Sequence, residues 1–161
     1  MKLKSTSNDL VQWEPNIDAI DDCKQVANDK AEKYCHNYVR LISVDSSDIS
    51  SNEKGLYDRI LVCGSYAYRP ICTWRSKKNI KNVFETFDGI GKVPQASDAS
   101  LSYTKLENGD YYFATSIDYT EQGMKADFLI ERSIGSSIQL RTDQYNSNWL
   151  NGILIFLNLF N

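Results

Sequence analysis

The sequence contains a single histidine, His36, and none of its four cysteines belongs to a Cys-x-x-Cys pair. Zinc sites in proteins draw on closely spaced cysteines and on several histidines, so the sequence favours no such site. Without a second histidine, His36 is better explained as a structural or exposed residue than as a catalytic or metal-binding one. We therefore expect no metal, no other cofactor and no enzymatic activity.

The sequence also lacks an excess of positive charge, since 18 basic residues stand against 21 acidic ones. A protein that binds nucleic acid usually presents a broad positive field, so nucleic acid is not an expected partner. One cluster of basic residues stands out: Arg69, Arg75, Lys77, Lys78 and Lys81. It is compatible with binding heparan sulfate or an acidic receptor face, although a solvated sheet edge explains it more simply.

No secretion signal is visible, because residues 1–7 are polar and contain neither an apolar stretch nor a cleavage site of small residues. The longest apolar run, at residues 153–160, is too short to span a bilayer. No N-glycosylation sequon occurs. If the cysteines form disulfides, these absences indicate a fragment of an extracellular or cell-surface protein.

The four cysteines fall into two close pairs, Cys23 with Cys35 and Cys63 with Cys72. This spacing favours two local disulfides and an oxidising compartment, with four buried free thiols as the alternative. A disulfide that closes a loop of about a dozen residues would remove roughly 3 kcal/mol of unfolded-chain entropy.

Short stretches rich in β-branched and aromatic residues dominate the chain and are separated by turn-forming residues, which predicts an all-β fold. The predicted strands are residues 38–44, 59–67, 71–75, 82–87, 101–106, 111–118, 128–133 and 138–141. They form two groups of four. Asn108 and Gly109 predict a tight hairpin in the second group. Residues 21–33 are a polar candidate for a solvated helix or loop, and residues 43–51 read as a solvated loop.

The segment between the two groups contains Gly89, Gly91 and Pro94, so it cannot continue a strand. We interpret it as a crossing from one sheet to the next. Gly89 to Lys92 lacks the full spacing of a phosphate-binding loop, so a turn is the preferred interpretation. Two successive meanders indicate propeller blades, but a β-sandwich has the same strand spacing.

Three motifs resemble the amino-terminal half of the semaphorin (Sema) domain. They are Cys-His-Asn-Tyr-Val-Arg-Leu at residues 35–41, Leu-Val-Cys-Gly-Ser-Tyr-Ala-Tyr-Arg-Pro-Ile-Cys at 61–72, and Leu-Arg-Thr-Asp-Gln-Tyr-Asn-Ser-Asn-Trp-Leu-Asn at 140–151. Their order and spacing also agree with the family, and the wording is most similar to that of class 5 semaphorins. Tyr145 and Trp149 of the third motif are interface candidates, with core packing as the simpler interpretation.

The resemblance implies a partial seven-bladed β-propeller of about two to three four-stranded antiparallel blades. Residues 1–151 would supply the end of blade one, blade two and most of blade three of a Sema domain. It also implies the same disulfide pairs, Cys23 with Cys35 and Cys63 with Cys72. The expected function is that of an extracellular guidance ligand, such as a chemorepellent for axons, which binds a plexin-type receptor and can form a homodimer.

The chain departs from the family pattern in three places. Val93 stands where the family commonly has a cysteine, Phe128 follows Asp127 where the family has a proline, and residues 152–161 form an apolar tail outside the pattern. We expect this tail to reflect truncation. The alternative hypotheses are a fragment of a plexin-like receptor ectodomain, which also contains a Sema domain, and a non-functional truncated product with unpaired sheet edges.

Overall fold

The computed structural model describes residues 11–44, 59–106, 110–117, 127–134 and 138–141. A helical segment, with α1 at Ile17–Ala27, a 3-10 turn at Asn28–Lys30 and α2 at Ala31–Tyr34, precedes two four-stranded sheets. The first sheet contains β1 (Val39–Val44), β2 (Arg59–Gly64), β3 (Ile71–Ser76) and β4 (Val83–Asp88). The second contains β5 (Leu101–Lys105), β6 (Tyr111–Ile117), β7 (Asp127–Ile134) and β8 (Ile138–Arg141). The eight predicted strands and their division into two groups are confirmed.

Within each sheet, every strand pairs antiparallel with the strand that precedes or follows it in the chain. Such a meander is the arrangement of a propeller blade. A Greek-key sandwich would instead place non-consecutive strands side by side, which these eight strands do not do. The β5–β6 hairpin predicted from Asn-Gly is present, with Leu101 opposite Thr115 and Lys105 opposite Tyr111. The turn itself, at residues 107–109, lies outside the described residues.

The hydrophobic core lies between the two sheets. The first sheet contributes Leu41, Leu61 and the cysteines of β2 and β3, and the second contributes Tyr111 and Phe113. Val93, from the crossing between the sheets, is fully buried in the same cluster. Burying these side chains stabilises the packing of one sheet on the other, since each large apolar side chain removed from water contributes about 1.5–3 kcal/mol.

Polar contacts join the first strand of the first sheet, β1, to the second sheet and to the crossing. The Arg40 guanidinium donates to the carbonyl oxygens of Ser97 and Ala99. The hydroxyls of Ser43 and Tyr111 are hydrogen-bonded at 3.1 Å. These bonds link residues far apart in the chain, so they form only when both sheets are in place.

The helical segment begins earlier than predicted, at residue 17 instead of 21. The reason is a side-chain cap: Asn16 Oδ1 accepts from the backbone N–H of Ala19 at 2.8 Å and satisfies one of the free donors of the first turn. Most of residues 21–33 are helical and exposed, as predicted for a solvated helix, but the segment also packs on the fold through the buried Cys23. None of the helices within the described ranges is both long and apolar enough to cross a membrane.

Candidate functional site

A disulfide between Cys63 and Cys72 bridges β2 and β3. The two residues face each other in the strand register, their Cα atoms are 4.1 Å apart, and neither side chain is exposed. In an antiparallel strand pair, facing Cα atoms come this close at the positions where the two residues do not hydrogen-bond to each other. The bond therefore holds the register of two strands that are already paired, and it closes the connection between them.

The second disulfide joins Cys23 of α1 to Cys35, the residue that follows α2. Their Cα atoms are 5.6 Å apart, and both side chains are buried. Ala67 and Tyr68 of the β2–β3 connection pack against them. The helical segment is thereby attached to the end of the first sheet that the Cys63–Cys72 disulfide braces.

The β2–β3 connection contains a left-handed turn of three consecutive residues. Tyr66, Ala67 and Tyr68 have φ angles of 43°, 55° and 69°. A left-handed conformation costs a residue other than glycine roughly 1–2 kcal/mol, so the surroundings must hold the turn in place. This turn also explains why β2 ends at Gly64 and not, as predicted, at Ala67.

Asn37 and His36 provide part of this support. Asn37 Oδ1 accepts from the backbone N–H of Tyr66 at 3.0 Å, and Asn37 Nδ2 donates to the carbonyl of Trp13 at 2.8 Å. The carbonyl of His36 accepts from the backbone N–H of Ala67 at 3.0 Å, while the His36 imidazole is exposed. His36 thus supports the turn through its backbone.

Within the described ranges, no group of three or more His, Cys, Asp or Glu side chains is arranged to hold a metal ion. All four cysteines are disulfide-bonded.

The structure divides the basic cluster that the sequence groups together. Arg69 lies at the β2–β3 end and forms an ion pair with Asp22 of α1, with 3.0 Å between Nη2 and Oδ2. Arg75 is 6% exposed, donates from Nε to Thr73 Oγ1 at 2.8 Å, and lies over the Trp13 ring. Burial lowers the pKa of the Arg75 guanidinium from its ordinary value. The side chains of both arginines therefore contact other parts of this chain.

The three lysines of the cluster lie together at the opposite end of β3, in the turn to β4. Lys77, Lys78 and Lys81 are all exposed there. The sheet brings a fourth basic residue to this end, because Arg59 at the start of β2 pairs with Ser76 at the end of β3. Sequence reasoning missed Arg59, which is distant from the lysines along the chain and becomes their neighbour only through the strand register.

The crossing between the sheets contains a buried ion pair that sequence reasoning also missed. Lys92 and Glu131, which are 3% and 0% exposed, are joined by a contact of 2.7 Å between Nζ and Oε1. The angles at this contact do not fit a hydrogen bond, so neither carboxylate oxygen of Glu131 has a hydrogen-bond partner among the described residues. The sole signal in the sequence is that Glu131 directly follows the apolar run Phe128, Leu129 and Ile130.

This pair also decides between the two interpretations of residues 89–92. The segment is a turn, in which the backbone N–H groups of Lys92 and Val93 donate to the Gly89 carbonyl. Gly89 packs so closely on Pro70 that an added Cβ would lie 2.8 Å from its carbonyl carbon. A phosphate-binding lysine would have to be available to a ligand, whereas Lys92 is committed to Glu131.

An exposed ion pair connects the helical segment to the crossing. Lys33 Nζ lies 2.8 Å from Asp98 Oδ2. The hydrogen bond between them raises the pKa of Lys33 and lowers the pKa of Asp98. Both side chains are about half exposed, so salt screens this pair. Tyr145 and Trp149, the interface candidates of the third motif, lie outside the described residues.

No protein-family model matches the chain. Individual relatives do. Semaphorin-5A of Rattus norvegicus is 32% identical over 141 residues, which are 88% of this chain and 12% of the relative. Semaphorin-5B of Homo sapiens is 31% identical over 140 residues, or 87% of this chain and 11% of the relative. The chain thus spans about an eighth of the length of the curated relatives it matches.

Solved structures of semaphorins share its fold. Drosophila Semaphorin 2a superposes with a TM-score of 0.62 at 24% identity, covering 92% of this chain and 25% of that chain. The extracellular domains 1-2 of Drosophila Semaphorin 1b give 0.59 at 23% identity, covering 88% and 23%. A chain in the structure titled Drosophila Plexin A in complex with Semaphorin 1b superposes with a TM-score of 0.57 at 22% identity, covering 88% of this chain and 23% of that chain.

The propeller, and not the sandwich, is therefore the fold of this chain. Similarity along most of the sequence and the shared β-propeller architecture together identify the chain as a semaphorin homologue that carries part of a Sema domain.

Proposed function

We propose that this chain acts as part of an extracellular semaphorin-type signalling ligand that binds a plexin-type receptor. The observation that carries the proposal is 32% identity to Semaphorin-5A over 88% of the chain. The class 5 relatives are 31–32% identical, whereas Semaphorin-6A is 27% identical, which favours class 5. A plexin-like receptor ectodomain is disfavoured because the relatives compared are semaphorins. One similar structure contains a plexin in complex with a semaphorin.

The geometry supports recognition by a rigid surface and not turnover of a substrate. Two disulfides and the core between the sheets hold the strands in one arrangement. A pre-organised surface loses little conformational entropy when a partner binds. Disulfides persist in oxidising compartments, which supports an extracellular location. Guidance of axons by repulsion and assembly as a homodimer belong to the same proposal.

Within this proposal, residues 1–151 form part of a Sema domain: the end of blade one, blade two and most of blade three. The first described sheet corresponds to blade two, and the second to blade three. Residues 152–161 are then a tail outside the Sema pattern. The sequence of the gene beyond residue 151 tests this division, because further blade motifs in the same reading frame would support it.

Receptor binding is tested with the complete protein that carries this chain, secreted as a tagged form from animal cells. We expect it to bind cells that display plexin ectodomains and not matched cells that lack them. Near-ultraviolet circular dichroism and the absence of reactive thiols would show that the tested protein is folded. A folded, monodisperse protein that binds none of the plexins would refute the proposed function.

A further inference from the structure

The first sheet is apolar on both of its faces. One face packs on the second sheet through Leu41, Leu61 and the disulfide between Cys63 and Cys72. Because side chains alternate between the faces of a strand, the register places nine other residues of β1, β2 and β3 on the opposite side, which we call the outer face. They are Val39, Ile42, Val44, Ile60, Val62, Gly64, Ile71, Thr73 and Arg75. A continuous apolar face of this kind is rarely left open to water in a soluble protein.

The chain covers one part of the outer face itself. The Trp13 ring lies over Arg75, with 4.7 Å between the ring centre and the guanidinium carbon. The row of side chains that β1 contributes remains exposed, and its members are Val39 (49%), Ile42 (58%) and Val44 (53%). The open part of the outer face is therefore a line of three β-branched apolar side chains on the first strand of the sheet.

The backbone at the free edge of β1 is partly blocked. The Tyr103 hydroxyl of β5 donates to the carbonyl of Ile42 at 3.4 Å. Lys105 Nζ, two residues further along β5, donates to the carbonyl of Val44, also at 3.4 Å. These side chains occupy two of the backbone acceptors that an added strand would need. A partner is therefore expected to pack on the exposed side chains of the row and not to extend the sheet.

The size of the outer face argues against a separate molecule as its partner. Its four strands, each six residues long, cover roughly 300–400 Å², since strands lie about 4.8 Å apart and rise about 3.3 Å per residue. A stable complex buries about 800 Å² on each partner, so a second copy that docked here alone would dissociate readily. A segment tethered to the same chain needs less contact, because its effective concentration reaches the mM range.

Composition distinguishes one segment of the chain as the occupant. Outside the described ranges, residues 1–10, 45–58 and 118–126 each contain at least three charged side chains. The apolar tail, residues 152–161, contains no charged side chain, and seven of the eight residues at 153–160 are large and apolar. Contact between this tail and the outer face would remove apolar surface from water on both sides and would bury no charge.

The apolar tail is also long enough to reach the row on β1. Eight residues of extended chain span about 26 Å, more than the roughly 20 Å of a six-residue strand. Residues 142–152 connect the tail to Arg141, the last residue of β8, and these eleven residues extend over about 36–40 Å. The path from the second sheet around the first is roughly 30–35 Å, given sheets packed about 10 Å apart and about 15–20 Å wide.

We propose that the apolar tail, residues 152–161, packs on the outer face of the first sheet and covers the row formed by Val39, Ile42 and Val44. The tail is then an intramolecular cover that keeps the apolar face from associating with other molecules. This inference is independent of receptor binding, so either can fail while the other holds.

The test is photo-crosslinking of the full chain at a concentration of about 1 µM, well below the effective concentration of a tethered segment. Benzoylphenylalanine replaces Ile42 in the test variant and Val26, an exposed residue of α1, in the control variant. After irradiation and digestion, mass spectrometry identifies the peptides joined to each probe. A mixture of isotope-labelled and unlabelled chains distinguishes a bond within one chain from a bond between two. A third variant combines the Ile42 probe with Ile155→Asp and Leu157→Asp.

We expect the probe at Ile42 to capture residues 152–161 of its own chain. The yield should not change on about tenfold dilution, because a tethered contact does not depend on protein concentration. The probe at Val26 should not capture the tail, and the two aspartates should abolish its capture by the probe at Ile42.

Three results would overturn the proposal. Bonds between labelled and unlabelled chains would identify a second copy as the occupant. Capture of a different segment, or of none, would show that the tail does not cover the row. Equal capture by the probe at Val26 would show non-specific contact of an apolar tail. If the probe at Ile42 prevents folding, as judged by near-ultraviolet circular dichroism, the same test is made with the probe at Val44, in the same row.

Discussion

Breaking the buried ion pair between Lys92 and Glu131 should show how much the crossing between the two sheets contributes to the free energy of unfolding. The Lys92→Met substitution removes the cation and leaves the fully buried carboxylate of Glu131 without its partner, 2.7 Å away in the parent. Removing one member of a buried pair costs about 3–5 kcal/mol. That is a large share of the roughly 5–15 kcal/mol by which a domain is stable.

The assay is urea unfolding of the full chain, followed by tryptophan fluorescence. With a slope of about 2 kcal/mol per M urea, a loss of 3–5 kcal/mol lowers the midpoint by about 1.5–2.5 M. Lys92→Met combined with Glu131→Leu removes both charges, and replacing a buried pair by apolar residues is often neutral or stabilising. We therefore expect the double variant to be close to the parent in its free energy of unfolding.

Two outcomes would refute this reasoning. If Lys92→Met alone costs less than about 1 kcal/mol, the carboxylate is not buried as the structure shows it. If the double variant is as unstable as the single one, the loss comes from altered packing and not from an unpaired charge. If the Lys92→Met variant does not accumulate, the secreted amount of the double variant is compared with that of the parent, and near-equal amounts then support the same conclusion.

Three further predictions concern the end of the first sheet and the exposed ion pair. Replacing Cys63 and Cys72 by serine should lower the free energy of unfolding in urea by about 2.5–3 kcal/mol, because a short closed loop is released. If all four thiols of the parent protein reacted before reduction, both disulfides would be contradicted. Gly64→Ala should lower the free energy of unfolding by about 2–3 kcal/mol, since the new Cβ would lie 2.1 Å from Asn37 Oδ1 and displace the two hydrogen bonds of the Asn37 side chain. In an Asn37→Ala background the same substitution should cost much less. An equal cost in both backgrounds would refute the clash. Asp98→Asn should lower the unfolding temperature slightly between about pH 5 and 9 at low salt, and it should have no effect well below pH 4. The reason is that a carboxyl with a lowered pKa stabilises the fold only while it is ionised. A difference in unfolding temperature that persists in acid would exclude the ion pair as its cause.

Local sequence signals account for the strands. Alternating β-branched and aromatic residues act over a few positions, so each strand could be located from its own residues, and Asn-Gly located the β5–β6 hairpin. The cysteine spacing likewise indicated two local pairs, because residues separated by a short loop meet readily. The choice between propeller and sandwich could not be made in this way. It depends on which strands are neighbours, and the consecutive order of the two sheets decided it together with the structural comparison.

Side-chain caps and long-range support were harder to foresee. The early start of α1 depends on the rotamer of Asn16, and the end of β2 depends on a left-handed turn that Asn37 supports from 29 residues away. A tyrosine or alanine in that conformation is unfavourable on its own, so no local pattern announces it. The sequence therefore overestimated β2 by three residues.

The sequence by itself determined which strands form, which cysteines lie close together and which family the motifs resemble, because these are properties of short segments. Only the tertiary structure decided how the basic residues are used. It placed Arg69 in an ion pair and Arg75 beneath the surface, and it brought Arg59 beside the exposed lysines through the register of β2 and β3. Burial and register depend on contacts between distant segments, and those contacts decide which charged side chains are buried within the fold and which lie on its surface.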